Sequence, residues 1–494
     1  PSATGQSIWY IDQDGDGYWG TAVSRCEQPF DSSTTGTDCD DTSSFVNESA
    51  TELCGDNIDQ DCSGADLACA QWSGSNYADS DYATKIVGLS SIGGLGSGLA
   101  VGDFDGDGLG DLVVGDPDYL YSSAYGAAFG FYGQIPAGEW QATLYDDFLY
   151  YNSSSTYSNL YGSNMANIGD VTRDGLDDLV VFSGGTVSRL YYGGDTGTST
   201  ATSRADRSVT CNNSAALGDW SMTSVTLDWI CADTSDTGNR GKLTIYSGTA
   251  TSLQVLTGES NGDYAGYSLA SGDIDGDGLD DMVVGAFGDD DLAAEAGAAY
   301  IVFASNTGAT SLQNADVKIR GEAAADGLGT SVEVMNDLNG DGYGDVAVGA
   351  PSQDGTAPYA GAVYLITNPT TGGAASMAWA TITGSVANTA LGGYALEMGD
   401  YDANGLDDLA VSSILTNSSA GSVWVFYSVS SGSYTDADAD VVWLGNHGGD
   451  YLGWRVATVP DTNNDSKDDL VATGINGDGL TGNEMGAVWL WLSP

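Results

Sequence analysis

GDIDGDGLDDMVVGAF, residues Gly272 to Phe287, joins two signals that seldom stand together. The first half sets carboxylates at alternate positions, Asp273, Asp275 and Asp277, and returns one at Asp281. Gly276 and Gly278 lie between them, as a chain wrapping through positive φ requires. The second half, MVVGAF, is too short for a stable helix and rich in β-branched residues, so it reads as a buried strand. The same phrase recurs as GDFDGDGLGDLVVGDP from Gly102, GDVTRDGLDDLVVFSG from Gly169 and NDLNGDGYGDVAVGAP from Asn336. It returns as GDYDANGLDDLAVSS from Gly399 and PDTNNDSKDDLVATG from Pro460. The leading aspartates fall at 103, 170, 273, 337, 400 and 461, with gaps of 67, 103, 64, 63 and 61. The gap of 103 fits two units. GDWSMTSVTLDWICAD from Gly218 marks the missing one, with Asp219 as its anchor and its acidic loop decayed to Ser221, Thr223, Val225 and Leu227.

Each unit repeats more than its loop. A Gly-flanked small or aromatic stretch precedes it, as in LGGYALEMGD, and further apolar runs follow, such as AGAVYLI and then AWATITG. Four short strands per unit, Gly-rich turns and no amphipathic helical period predict propeller blades. Residues 71–494 divide by seven into about 61 residues per blade. The last strand, in GAVWLWLSP, has no outer strand after it, whereas ATKIVG at Ala83 to Gly88 stands alone before the first acidic loop. That orphan is expected to complete the last blade and close the ring, removing exposed sheet edges. The fold class is all-β: a seven-bladed β-propeller over residues 71–494, with a small Cys/Asp-rich module at 1–70.

Composition agrees. The 494 residues carry 69 Asp plus Glu against 12 Lys plus Arg, a formal charge of −57, and only ten of the acids are Glu. Aspartate suits turns and hard-cation sites rather than helices. Such a field repels nucleic acid and anionic membranes, so neither is expected as a partner. With 41% hydrophobic and 10% aromatic residues the chain can still build a core. No run approaches the ~18 apolar residues of a spanning segment, so no direct membrane insertion is expected.

The repeated phrase resembles the FG-GAP repeats of integrin α-subunit propellers, with VGAP at Val348 to Pro351 matching its name-giving residues. The resemblance implies calcium-bound blade loops on one face and ligand recognition on the other. Loops at 116–125, 288–296, 351–360 and 476–484 would carry that recognition.

The loops suit a hard cation on their own chemistry. Oxygen ligands at positions 1, 3, 5 and 9 of the loop, with a main-chain carbonyl at position 7, approach the six to eight that calcium takes. The predicted sets are Asp103, Asp105, Asp107, Leu109 and Asp111; Asp170, Thr172, Asp174, Leu176 and Asp178; and Asp273, Asp275, Asp277, Leu279 and Asp281. The remaining three are Asp337, Asn339, Asp341, Tyr343 and Asp345; Asp400, Asp402, Asn404, Leu406 and Asp408; and Asp461, Asn463, Asp465, Lys467 and Asp469. About six calcium ions are expected, and none on the decayed unit. The plain alternative is Asx-turns in solvated loops, against which six copies of a four-ligand pattern argue. Cys211 and Cys231 flank the decayed loop, where a disulfide would replace the ion as a clamp; two buried thiols are the alternative.

Five of the seven cysteines crowd the first 69 residues, which favours disulfides and an oxidising compartment over a zinc site. DQDGDGYWG from Asp12 supplies another acidic loop (Asp12, Asp14, Asp16), followed by TDCDD with Asp40 and by CGDNIDQDCSGAD with Asp59 and Asp61. The series resembles a metal-binding motif of secreted bacterial surface proteins. That resemblance implies one or two further calcium ions plus disulfides, in place of the core so short a segment cannot build. Cys26 with Cys39 and Cys54 with Cys62 are the sequence-local pairings expected.

The function expected is a secreted or cell-surface, bacterial-type extracellular, monomeric calcium-binding module for adhesion to a protein ligand. A carbohydrate-binding propeller and a passive surface spacer are the alternatives. For the second, the Tyr-rich run Leu144 to Gly162 offers an aromatic platform. Arg189, Arg204 and Arg207 form a basic patch expected to pair with acidic neighbours. No nucleophile elbow, HExxH helix or phosphate loop is present, and His447 is the only imidazole, so no enzyme is expected.

Overall fold

The computed structural model describes residues 7–13, 18–25, 27–29, 32–39, 47–48, 62, 74–78, 82–89, 94–121, 124–133, 135, 137–142, 145–150, 161–183, 188–194, 197–200, 207–220, 227–248, 251–306, 308–355, 357–460, 462, 467–477 and 485–493. Contacts separate a smaller unit holding Pro1–Gln71 from a larger one holding Trp72–Tyr401 and Asp407–Ser493.

In the smaller unit Ser7–Ile11 pairs antiparallel with Thr21–Arg25 and with Ser32–Ser33. A disulfide joins Cys39 to Cys62, with Cα atoms 5.7 Å apart. This corrects the expected pairing of Cys26 with Cys39 and of Cys54 with Cys62. Bridging is decided by spatial approach within about 7 Å, and the folded chain brings Cys39 to a partner 23 residues away. Cys26, Cys54 and Cys69 lie outside the described residues.

In the larger unit the described strands form seven sheets. The fourth runs Leu269–Gly272, Asp281–Ala286, Ala298–Val302 and Val317–Arg320, each antiparallel to the last. The fifth repeats it with Ser331–Met335, Asp345–Ala350, Ala362–Ile366 and Ala380–Thr383. The sixth does so with Leu396–Gly399, Asp408–Ser413, Ser422–Phe426 and Val441–Leu444. Earlier sheets begin at Gly98–Gly102, Met165–Asn167 and Asn213–Ala216. The last consists of Arg455–Pro460, Asp468–Gly474 and Ala487–Trp491, and its outer strand is Thr84–Val87, the orphan of the sequence. The first strands lie side by side in chain order, and Arg455–Pro460 also lies against Gly98–Gly102.

Period-2 geometry explains why the second strands read as unbroken apolar runs. In Asp281–Ala286 the side chains of Met282, Val284 and Ala286 pack into the third sheet's face, against Ile230, Leu243 and Ile245. Val283 points the other way and joins Val332, Val346 and Val348 of the fifth. With both faces covered, alternation is lost. One such cluster fills each gap between consecutive sheets, and another, with Leu99, Val114, Val471 and Val488, lies between last and first. Each buried Val, Leu or Ile adds about 1.5–3 kcal/mol of transfer free energy.

Two details of the repeat follow from close approach. A Cβ on Gly349 would lie 2.1 Å from the Gly392 carbonyl of the next sheet, and one on Gly285 would meet Gly329 in the same way. The glycine of the VGA phrase is thus set by backbone packing between sheets. Second, among the described residues five of the seven sheets carry a parallel fifth strand outside the outer strand, supplied by the following unit. Gly373–Ala374 does so on Val317–Arg320, Gly432–Thr435 on Ala380–Thr383, and Gly74–Tyr77 on Val441–Leu444. Gly138–Gln141 and Gly197–Thr200 repeat the arrangement on Thr84–Val87 and Asp147–Tyr150.

Candidate metal centres

Each acidic loop follows the first strand of its sheet and leads into the second. In the first loop Asp103 accepts hydrogen bonds from the amides of Gly106 (2.7 Å) and Gly108 (3.1 Å). Asp105 accepts from Asp107 N, and Asp107 from Leu109 N at 2.8 Å, so successive Asx-turns curl the chain. The Asp273 loop repeats these bonds, from Gly276, Gly278 and Leu279. So do the Asp170 and Asp337 loops, with Leu176 N donating to Asp174 and Tyr343 N to Asp341. Leu406 N donates to Asn404 at 2.7 Å. The fourth position is left-handed in the five loops described there: Gly106, Gly276 and Gly340 hold it at no steric cost, while Arg173 and Ala403 adopt φ of 58°.

The ninth-position aspartate does more than sequence reasoning assigned to it. Asp111, Asp178, Asp281, Asp345, Asp408 and Asp469 are all fully buried. One oxygen of each accepts an amide at the start of its own loop: Phe104, Val171, Ile274, Leu338, Tyr401 and Thr462 respectively. The other accepts an amide just beyond the sheet's third strand: Gly133, Gly193, Ala304, Asn368, Ser428 and Ser493. The residue therefore pins the loop to the sheet. Only the fixed spacing of the final Asp ahead of an apolar run signals this in the sequence. Burial pushes Asp111, Asp178 and Asp281 up to about 7 and Asp345 to about 6, against an ordinary 3.8.

Carboxylate oxygens converge in three of the loops. Those of Asp103, Asp105 and Asp111, of Asp273, Asp275 and Asp281, and of Asp400, Asp402 and Asp408 each lie within 4.8 Å of one another. Oxygens bound to one ion at about 2.3–2.6 Å can be no further apart than twice that bond, so the spacing suits a shared cation. The donors are all hard oxygens, which suit calcium, magnesium or manganese better than copper or zinc. In the Asp170 and Asp337 loops Thr172 and Asn339 replace the third-position carboxylate. There the Thr172 hydroxyl donates to Asp170 (3.3 Å), and the Asn339 amide to Asp341 (3.1 Å). Asp461, Asn463 and Asp465 lie outside the described residues, as do Asp14, Asp16, Asp40, Asp59 and Asp61 and the decayed loop's Ser221, Thr223 and Val225; Asp12, Lys467 and Asp469 are described.

A fourth acidic group, Glu259, Asp289 and Asp291, converges equally closely and was not foreseen. Its centre is the Lys318 ammonium, 2.8, 2.7 and 2.6 Å from the three carboxylates. The Tyr300 hydroxyl lies 2.9 Å from the same Glu259 oxygen and 2.7 Å from that of Asp289. A tethered cation thus ties the loop after Ala286 to the sheet.

The remaining candidates settle simply. Cys211 and Cys231 form a disulfide beside the decayed unit. Of the Tyr-rich run, Tyr145 stacks on buried Phe148, and Tyr161 is buried with its hydroxyl 2.6 Å from that of Tyr191. These rings serve the core; Tyr151 and Tyr157 lie outside the described residues. Arg189 donates to Ser208 on the paired strand, and Arg204 is outside the described residues. His447 is 60% exposed, its Nδ1 3.8 Å from Asp450. Of the recognition loops, 288–296 is described in full, 116–125 and 351–360 in most part, and 476–484 only at its start.

Comparison with known proteins agrees with this geometry. The FG-GAP repeat family matches residues 265–302 and 328–366, so the chain carries FG-GAP repeats. A second family, described as "Putative metal-binding motif", matches residues 38–66. Among curated relatives, integrin alpha-PS2 of Drosophila melanogaster is 34% identical over 116 residues, 22% of this chain and 8% of that one. Integrin alpha-5 of Xenopus laevis is 31% identical over 208 residues, 40% of this chain and 19% of its own. Integrin alpha-V of Gallus gallus is 30% identical over 165 residues, 32% and 15%. The chain thus spans less than a fifth of the relatives it matches. A chain of the crystal structure of BBS1N in complex with ARL6DN aligns over 82% of this chain and 95% of its own, at 12% identity and a TM-score of 0.43.

Proposed function

We propose that residues 71–494 form a closed seven-bladed β-propeller whose acidic loops bind about six calcium ions, and that the chain acts outside the cell as an adhesion or protein-interaction module. Residues 1–70 are read as a small domain stabilised by one or two calcium ions and disulfides. The observation that carries the reading is the convergence of carboxylates within 4.8 Å at the same point of three sheets. The side-by-side order of the first strands and the apolar cluster between last and first sheets support closure. Calcium is favoured over magnesium because the loops offer several flexible oxygens including a main-chain carbonyl, where magnesium keeps its water. Similarity to integrin α-subunits supports recognition of an extracellular protein, and the reading assigns no catalysis.

Calcium then acts on stability by linkage, binding the folded loops and not the unfolded chain. The test is calorimetry with the chelated protein. Several calcium ions per chain and a melting temperature that climbs with calcium are expected. A flat response to millimolar calcium, with magnesium no different, overturns the reading.

A further inference from the structure

We propose that the cavity where the first strands of six sheets converge is a saccharide-binding site, with a neutral pyranose ring as its occupant. It is a concavity of about 590 Å³, within the usual range for ligand sites. Its wall is formed at the beginnings of the first strands, by residues such as Tyr394 to Glu397 and Trp454 to Val456. Each strand then runs away from the cavity to its acidic loop. The site therefore lies at the opposite strand ends from the candidate metal centres, and does not depend on the calcium reading.

Three features identify the occupant. Tyr394 and Trp454 lie with ring centroids 5.3 Å apart and planes tilted by 35°, offering adjacent aromatic faces at a polar mouth. Arg455, one of only twelve basic residues, has no carboxylate partner among the described residues. Its one side-chain bond runs from Nη1 to the Trp454 carbonyl, at 3.3 Å. Its remaining donors are uncommitted. Glu333 and Glu397, on neighbouring first strands, bring two carboxyl groups into the same wall. Burial pushes Glu333 up to about 8, and burial together with Glu333 raises Glu397 well above its ordinary value. Both carboxyls face the one cavity, within reach of a ligand's hydroxyls.

These features discriminate between ligand classes. A cationic side chain meets the unpaired guanidinium, which repels it. An anion meets the field of a chain at −57. An apolar ligand leaves the arginine and the carboxyls unpaired, at about 1–3 kcal/mol each. A neutral sugar has one apolar ring face for the aromatic pair, and hydroxyls that both donate and accept.

The experiment uses the whole chain in calcium, with glucose, galactose, mannose and N-acetylglucosamine as probes in saturation-transfer NMR and calorimetry. Saturable binding of at least one is expected, weakened roughly tenfold, about 1.4 kcal/mol, by Arg455→Met and by Tyr394→Ala. Both variants must keep the parent melting temperature; Tyr394→Leu, which keeps an apolar side chain but removes the ring face, serves as the milder substitution where they do not. Absence of binding for all four sugars at about 10 mM, ten times a Kd of about 1 mM, overturns the proposal. So does binding indifferent to the variants, or binding of arginine amide in place of sugar. Sugar binding that persists with no calcium effect on melting sinks the metal reading and leaves this one standing.

Discussion

Lys318→Met removes an ammonium from among three carboxylates while keeping the apolar stem. The side chain is 10% exposed, Asp289 4%, Glu259 18% and Asp291 42%. Asp291 is wet enough that its bond adds at most about 1 kcal/mol. Asp289 and Glu259 are not, and stripping the partner from a buried pair costs about 3–5 kcal/mol. Tyr300 stays behind, its hydroxyl held protonated far above its ordinary pKa by burial and by the flanking acids, so it can still donate to one of the two. The expected loss is therefore near the low end, about 3 kcal/mol. Urea unfolding followed by tryptophan fluorescence measures it, and Asp289→Asn in the same chain should restore part of the loss by removing the excess charge. Burial alone would lower the Lys318 pKa, but its hydrogen bonds to Asp289, Asp291 and Glu259 outweigh this and hold it above the usual 10.5. A raised lysine stabilises fully below its unfolded pKa and ceases to as pH climbs through its folded one. The gap between parent and variant should thus stay level from pH 7 to about 10 and close above. A difference under about 0.5 kcal/mol at pH 7, typical of an unremarkable surface change, would refute the caged-cation account.

Other tests address the loops and the frame. Asp281→Asn should abolish one calcium site and leave the amide bonds to Ile274 and Ala304 weaker, lowering the melting temperature with and without calcium. In chelator, Asp111, Asp178 and Asp281 titrate near 7 in the folded chain against 3.8 ordinarily, so folding takes up protons. Apo stability should then rise as pH falls from about 7 towards 4, while the increment given by calcium is largest near pH 8 and shrinks towards pH 5. Melting curves across that range, with and without calcium, decide it. Cys211→Ser with Cys231→Ser opens a loop of 20 residues and should cost about 3 kcal/mol in chemical unfolding. Gly349→Ala forces a methyl against the Gly392 carbonyl and should cost about 3 kcal/mol by the same measurement, where Ala347→Gly, on the same strand, creates a void instead.

The repeated strands and loops were legible because they repeat: a glycine or aspartate whose meaning is ambiguous once becomes plain at fixed spacing. The pairing of Thr84–Val87 with the last sheet was legible from a strand without neighbours, and Cys211 with Cys231 from the decay of the loop between them. What stayed hidden is non-periodic. Lys318, Glu259 and Asp289 come from three different segments, and nothing in their local sequence announces a meeting. Glu333 and Glu397 read as ordinary polar positions of alternating strands, because the axial wall they share exists only once the sheets are arrayed. The partner of Cys39 was misread since nearness along the chain is a poor guide where few other contacts constrain it.

The completion of the last sheet by a strand from the beginning of the larger unit has a consequence for synthesis. As the chain emerges, Thr84–Val87 is made about 400 residues before Ala487–Trp491, against which it pairs. The Thr473 hydroxyl likewise reaches the Gly96 carbonyl across 377 residues. Until then the early strand presents unsatisfied amides and carbonyls, an open template for another nascent chain. Loop-closure entropy over such a span makes the final zippering slow. Polysome crowding, more than the stability of the finished molecule, would then govern how much of it survives its own production.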